Sequence, residues 1–99
     1  MRSGQRWVAD AFLAAVGEIK LNEPTGLPLY KIDELLRLAR MLAVELIDET
    51  DAESLALLEL TDVVDQWCWD STNPLLILRF LAARRAHCDT LAAEFNADQ

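Results

Sequence analysis

The chain has 99 residues, 17 acidic against 9 basic for a net charge of −8, and 53% of it is hydrophobic. That length allows one domain, and so much apolar content excludes general disorder, which pairs high charge with low hydrophobicity. The acid excess argues against nucleic acid and against anionic membrane surfaces, both of which select Lys and Arg.

Uncharged stretches fall far short of the ~20 residues needed to span a bilayer. Arg2 and Arg6 ahead of Trp7, Val8 and Ala9 superficially resemble a secretory leader, but Asp10, Glu18 and Lys20 interrupt the apolar run. That pattern is an amphipathic helix, and the expectation is a cytoplasmic protein. Two cysteines, Cys68 and Cys88, are too few for a secreted disulfide framework.

Four helical segments are predicted in chain order. The first spans residues 3–21, with Ser3 as N-cap and Val8, Phe12, Ala15, Val16 and Ile19 at helical spacing. Two prolines and a glycine between Asn22 and Pro28 end it. The second spans 29–47 and carries a wide stripe of Ile32, Leu35, Leu36, Ala39, Leu42, Ala43 and Leu46. Leu38, Met41 and Val44 lie off that stripe, so this helix is expected to be covered from two sides.

The third segment spans 51–69 and opens with Thr50 and Glu53 in the T-x-x-E arrangement of a capping box. Leu57, Leu60, Val64 and Trp67 follow at spacings of three and four. The fourth, 74–95, has the clearest start, Asn73 as N-cap and Pro74 in the first helical position. Its apolar positions are Ile77, Phe80, Leu81, Ala83, Ala86, Leu91, Ala92 and Phe95, and Asn96 to Gln99 are expected to fray. Nothing alternates like a strand. The expected fold is all-α, a single four-helix antiparallel bundle-like domain, dimeric because its helices carry more apolar surface than so short a chain can bury.

Chemistry-bearing residues are sparse. Glu59, Asp62 and Asp65 line one side of the third helix, but di-iron bundles need Glu-x-x-His, and the single histidine, His87, follows Arg84 at that spacing. His87 and Cys88 point about 100° apart on a helix, neither cysteine belongs to a C-x-x-C pair, and no zinc site is expected. A nucleophilic Cys68 activated by His87 lacks an oxyanion loop, since the glycines are scattered. The expectation is a protein without catalytic residues, metal or cofactor.

The charge distribution is more telling. Nine carboxylates and no Lys or Arg lie between Met41 and Leu78, from Glu45 to Asp70. Such a field can steer a basic partner or imitate nucleic acid, although solubility alone also accounts for it. Trp67 and Trp69 cannot share one helix face, and tryptophan is enriched at binding hot spots.

A small acidic helical chain with Asn22-Glu23-Pro24-Thr25-Gly26-Leu27-Pro28-Leu29-Tyr30 and Asp65-Gln66-Trp67-Cys68-Trp69-Asp70 resembles the quorum-sensing antiactivators that sequester LuxR-type transcription activators. The resemblance is one of size and layout over most of the chain. It implies a homodimer that binds the activator's ligand-binding domain and prevents its dimerisation and DNA binding, and it carries no contact residues across.

The expected function is therefore regulatory protein binding, with an acidic inhibitor or nucleic-acid mimic acting through Glu45–Asp70 as the alternative. The partner or dimer interface is expected first on the second helix, at Leu35, Leu38, Met41, Leu42 and Leu46. Trp67 and Trp69, and Leu29 and Tyr30 of the proline-flanked segment, are the secondary positions.

Overall fold

In the computed structural model, which describes residues 1–19, 29–70 and 72–97, the chain forms four helices. They are α1 (Ser3–Gly17), α2 (Leu29–Leu46), α3 (Ala52–Trp69) and α4 (Pro74–Ala97), with no strand among the described residues. Helix α1 ends at Gly17, with Glu18 as its C-cap and Ile19 outside it, short of the predicted end at Leu21; Lys20, Leu21 and the break from Asn22 to Pro28 lie outside the described residues. Helix α4 continues to Ala97, past the predicted end at Phe95.

Successive helices pack against one another, α1 on α2, α2 on α3 and α3 on α4. Long-range bonds fix them as antiparallel neighbours. Gln5 near the start of α1 donates to the Glu45 carbonyl near the end of α2, and Arg79 near the start of α4 donates to Gln66 near the end of α3. Helix α2 is thus covered on two sides, as its wide apolar stripe requires. The molecule measures 42 × 23 × 19 Å, drawn out along α4, whose 24 residues span about 36 Å at 1.5 Å each.

The core is a single cluster to which every helix contributes. Val8, Phe12, Val16 and Ile19 from the α1 region meet Leu35, Ala39, Leu42 and Leu46 of α2, around Leu57, Leu60, Val63, Val64 and Trp67 of α3. Phe80 and Ala83 close it from α4, with the Phe80 and Trp67 rings stacked at 6.4 Å between centroids. The fourth helix differs from its predicted pattern. Its buried side is Leu76, Phe80, Ala83 and His87, whereas Leu81, Ala86 and Leu91 are exposed. Leucines fall on two sides of the first three turns, so spacing alone did not choose between them.

Two caps also differ. The N-cap of α1 is Arg2, with Ser3 already inside the helix; the Gln5 side-chain Oε1 accepts from the Arg2 backbone N–H at 3.0 Å. The N-cap of α3 is Asp51, whose carboxylate accepts from the Ser54 N–H at 3.1 Å. Thr50 stays outside, and Glu53 is released from capping because Arg6 takes its carboxylate. A bidentate pair with a guanidinium outweighs a single bond from a neutral backbone N–H. The α4 start holds as predicted: Asn73 Oδ1 accepts from the Leu75 N–H at 3.0 Å, directly before Pro74.

Candidate functional site

The predicted interface residues divide into two groups. Leu35, Leu42, Leu46 and Trp67 are buried in the chain's own core, and Leu38 is half-buried against it. These five side chains stabilise the bundle and offer little apolar surface to anything else. Met41, Leu29, Tyr30 and Trp69 are exposed, Trp69 at 74%. Its indole Nε1 donates to Asp65 Oδ1 at 3.1 Å, one turn back, which holds the exposed ring along α3.

Other exposed apolar positions lie outside the predicted interface. On α2, Val44 stands outward at 72% exposure beside Met41, with Ile47 just past the helix end. This outward side also carries Asp33 and Arg37, which with Leu36, Arg40 and Met41 line an open depression of about 420 Å³. A second cleft of about 250 Å³ separates α2 from α3, where the small Ala39 and Ala43 face Leu58 and Thr61. Arg40 and Asp65 guard it with a loose ion pair at 3.6 Å.

On α4, Leu75, Leu78 and Leu81 are exposed, and none of them is among the predicted interface positions. The available signal was the composition of Pro74–Ala83, where Arg79 is the single charge in ten residues. A helix apolar on every side requires cover on every side. The exposed apolar surface therefore spreads over α2 and α4, with Trp7 on α1 and Leu55 and Trp69 on α3, instead of concentrating on α2.

The acidic region is largely engaged. Glu49 accepts from Gln5 Nε2, Asp51 caps α3, and Glu53 pairs with Arg6. Arg79 lies 3.5 Å from Glu59 and 3.6 Å from Asp62, Asp65 faces Arg40, and Asp70 accepts from Asn73. Seven of the nine carboxylates thus have a partner supplied by the fold. Hydrogen bonding to Ser54 holds the Asp51 carboxyl below its ordinary range.

His87 is buried at 4% exposure, and its Nε2 has no hydrogen-bond partner. Burial pushes its pKa down, opposed by the nearby Glu53 and Glu94 carboxylates and reinforced by Arg6. The histidine borders a small cavity of about 170 Å³ between α1 and α4, with Leu13, Val16, Gly17, Leu60, Arg84 and Cys88. Cys68 does not line it. Burial, with Asp65 adding to it and Arg40 opposing, raises the Cys68 thiol to about 11, so it is held protonated. Among the described residues, no group of three or more His, Cys, Asp or Glu side chains could hold a metal ion. No described helix is long and apolar enough to cross a membrane.

Comparison with known proteins returns no match: no family model fits the chain, and no curated protein or solved structure is similar to it.

Proposed function

We propose that this chain is a regulatory protein-binding module, an antiactivator of the QslA kind. In this proposal it acts in the cytoplasm as a homodimer, sequesters a LuxR-type transcription activator by occluding the activator's dimer interface, and so keeps it off DNA. The observation that carries the proposal is the outward side of α2. There Met41, Val44 and Ile47 recur at spacings of three with roughly half to three-quarters of each side chain in water. Apolar side chains exposed along one side of a helix and just past its end are the kind of surface that a partner's hydrophobic groove accepts.

The acidic alternative has less support. Glu53, Glu59, Asp62 and Asp65 are paired with arginines within the fold, which weakens the field available to imitate nucleic acid.

The test is co-purification with a LuxR-type activator, followed by a DNA mobility shift at low and high salt. The expected outcome is a complex that persists at high salt and abolishes the shift, because apolar burial is little screened. A complex lost as salt rises supports the acidic alternative. No complex, with DNA binding intact, overturns the proposal.

A further inference from the structure

The helices pack in chain order, α1 on α2, α2 on α3 and α3 on α4, and the seam between α1 and α4 is not closed in the same way. A cavity of about 170 Å³ lies in that seam. Protein interiors pack to crystal density and hold few voids larger than a water molecule, so a space of this size departs from ordinary packing.

Its wall is graded from apolar to polar. Val16 and Leu60 are buried and Leu13 is half-buried, which makes the depth apolar, while Gly17, Arg84 and Cys88 are exposed and form the mouth. A Cβ at Gly17 would meet nothing within 4 Å, so the glycine leaves the mouth wide. The Arg84 guanidinium carbon lies 5.6 Å from the centre of the Phe80 ring, a cation–π contact that leaves N–H donors for an anion. His87 follows three residues later, on the same side of α4. Three buried side-chain polar atoms among the described residues lack a hydrogen-bond partner, and of these only His87 Nε2 belongs to the cavity wall.

An apolar depth beneath a guanidinium and an imidazole suits an anion with a hydrocarbon tail. We propose that the cavity binds a short-chain carboxylate, its chain on Leu13, Val16 and Leu60 and its two oxygens shared between Arg84 and His87. A neutral imidazole with its proton on Nε2 donates to one oxygen, and the guanidinium holds the other with its charge. The size fits as well. A cavity of about 150 Å³ holds benzene, so this one takes a carboxylate of about five carbons. Such a ligand bridges α1 to α4. The site stands apart from the antiactivator proposal, whose surface is the outward side of α2, and either can fail without the other.

His87 is the single histidine of the chain, so its ring signals report on the cavity without ambiguity. The test is an NMR titration of the full chain with sodium pentanoate at neutral pH and constant ionic strength. The expected result is a saturable shift of the His87 ring with a Kd on the order of 1 mM, the scale for about seven non-hydrogen atoms. Acetate, which lacks most of the chain, binds at least about tenfold more weakly. So does pentanol, which has the chain without the charge. Arg84→Gln weakens pentanoate binding by about tenfold, and Gly17→Leu, whose side chain has room to enter the mouth, abolishes it. Circular-dichroism melts show which variants are folded, and Gly17→Met replaces Gly17→Leu if the latter is not.

The absence of a saturable shift up to about 20 mM pentanoate overturns the proposal. Pentanol that binds as tightly overturns the carboxylate, and acetate that binds as tightly overturns the apolar seat. A shift that survives both Arg84→Gln and Gly17→Leu places the ligand elsewhere and equally overturns it.

Discussion

Arg6 holds Glu53 with both terminal guanidinium nitrogens, Nη1 to Oε1 at 2.6 Å and Nη2 to Oε2 at 3.1 Å. The pair ties the first turn of α1 to the first turn of α3, across 47 residues of chain. Its two ends are unequal, for the Glu53 side chain is 8% exposed and the Arg6 side chain 43%. A bidentate pair is stronger than a single contact between neutral groups, and the guanidinium is correspondingly harder to deprotonate, chiefly through its bond to Glu53.

That inequality predicts an asymmetric cost. Arg6→Met strands a carboxylate in the fold and should destabilise the protein by about 2–3 kcal/mol. Glu53→Gln leaves a guanidinium that can turn to water and should cost about 1 kcal/mol. Urea unfolding of both variants measures the difference. Equal costs would mean that the pair is solvated at both ends.

The caps offer a second comparison. Asp51→Ala should cost about 1 kcal/mol, because the Ser54 N–H loses its acceptor. Thr50→Ala, outside the helix, should change stability by less than about 0.5 kcal/mol. The Asp51 contribution also depends on pH. Its folded pKa is lowered, so the contribution is fully present above the ordinary carboxylate range and is lost as pH falls through the depressed value. Thermal melts of both variants at neutral pH and near pH 3 check the ordering and the acid loss.

His87 should make the bundle sensitive to mild acid. Its folded pKa lies below the ordinary 6.5, so the unfolded chain takes up a proton first as pH drops. Stability from this group is therefore complete above about 6.5 and declines from there down to the depressed folded value. The decline should be absent in His87→Gln, which does not titrate. Denaturation midpoints of both proteins between pH 7.5 and 5 would show parallel curves if His87 played no part.

The two cysteines should alkylate at very different rates. Cys88 is exposed and Cys68 is half-buried, with the Cys68 thiol raised from 9.0 to about 11. Two pH units reduce its thiolate fraction about 100-fold near neutral pH, and the thiolate is the reacting species. Iodoacetamide labelling followed by peptide mass spectrometry should find Cys88 modified first. Early modification of Cys68 would mean that α3 opens near its C-terminus.

Much of the bundle was legible in the chain. The spacing of Val8, Phe12 and Val16, of Leu35, Leu42 and Leu46, and of Leu57, Leu60, Val64 and Trp67 identified three buried faces that the structure confirms. Asn73 and Pro74 marked the start of α4 because a cap is a local bond between near neighbours. Local rules failed where a distant side chain competed. Glu53 has the right spacing to cap α3, but Arg6 lies 47 residues away in the chain and adjacent in space.

The opposite difficulty arose in α4. Leu75, Leu76, Ile77, Leu78 and Leu81 give that helix apolar character all round, so periodicity offered no single face. The sequence by itself determined that the protein is helical, where most of its helices begin, and that they carry a surplus of apolar surface. Only the tertiary structure decided which leucines form the core and which remain outside. Helical spacing is a property of one segment, whereas burial depends on what its neighbours bring to the same place. On α4, Phe80 finds Trp67 across the interface and turns inward, which leaves Leu78 facing water.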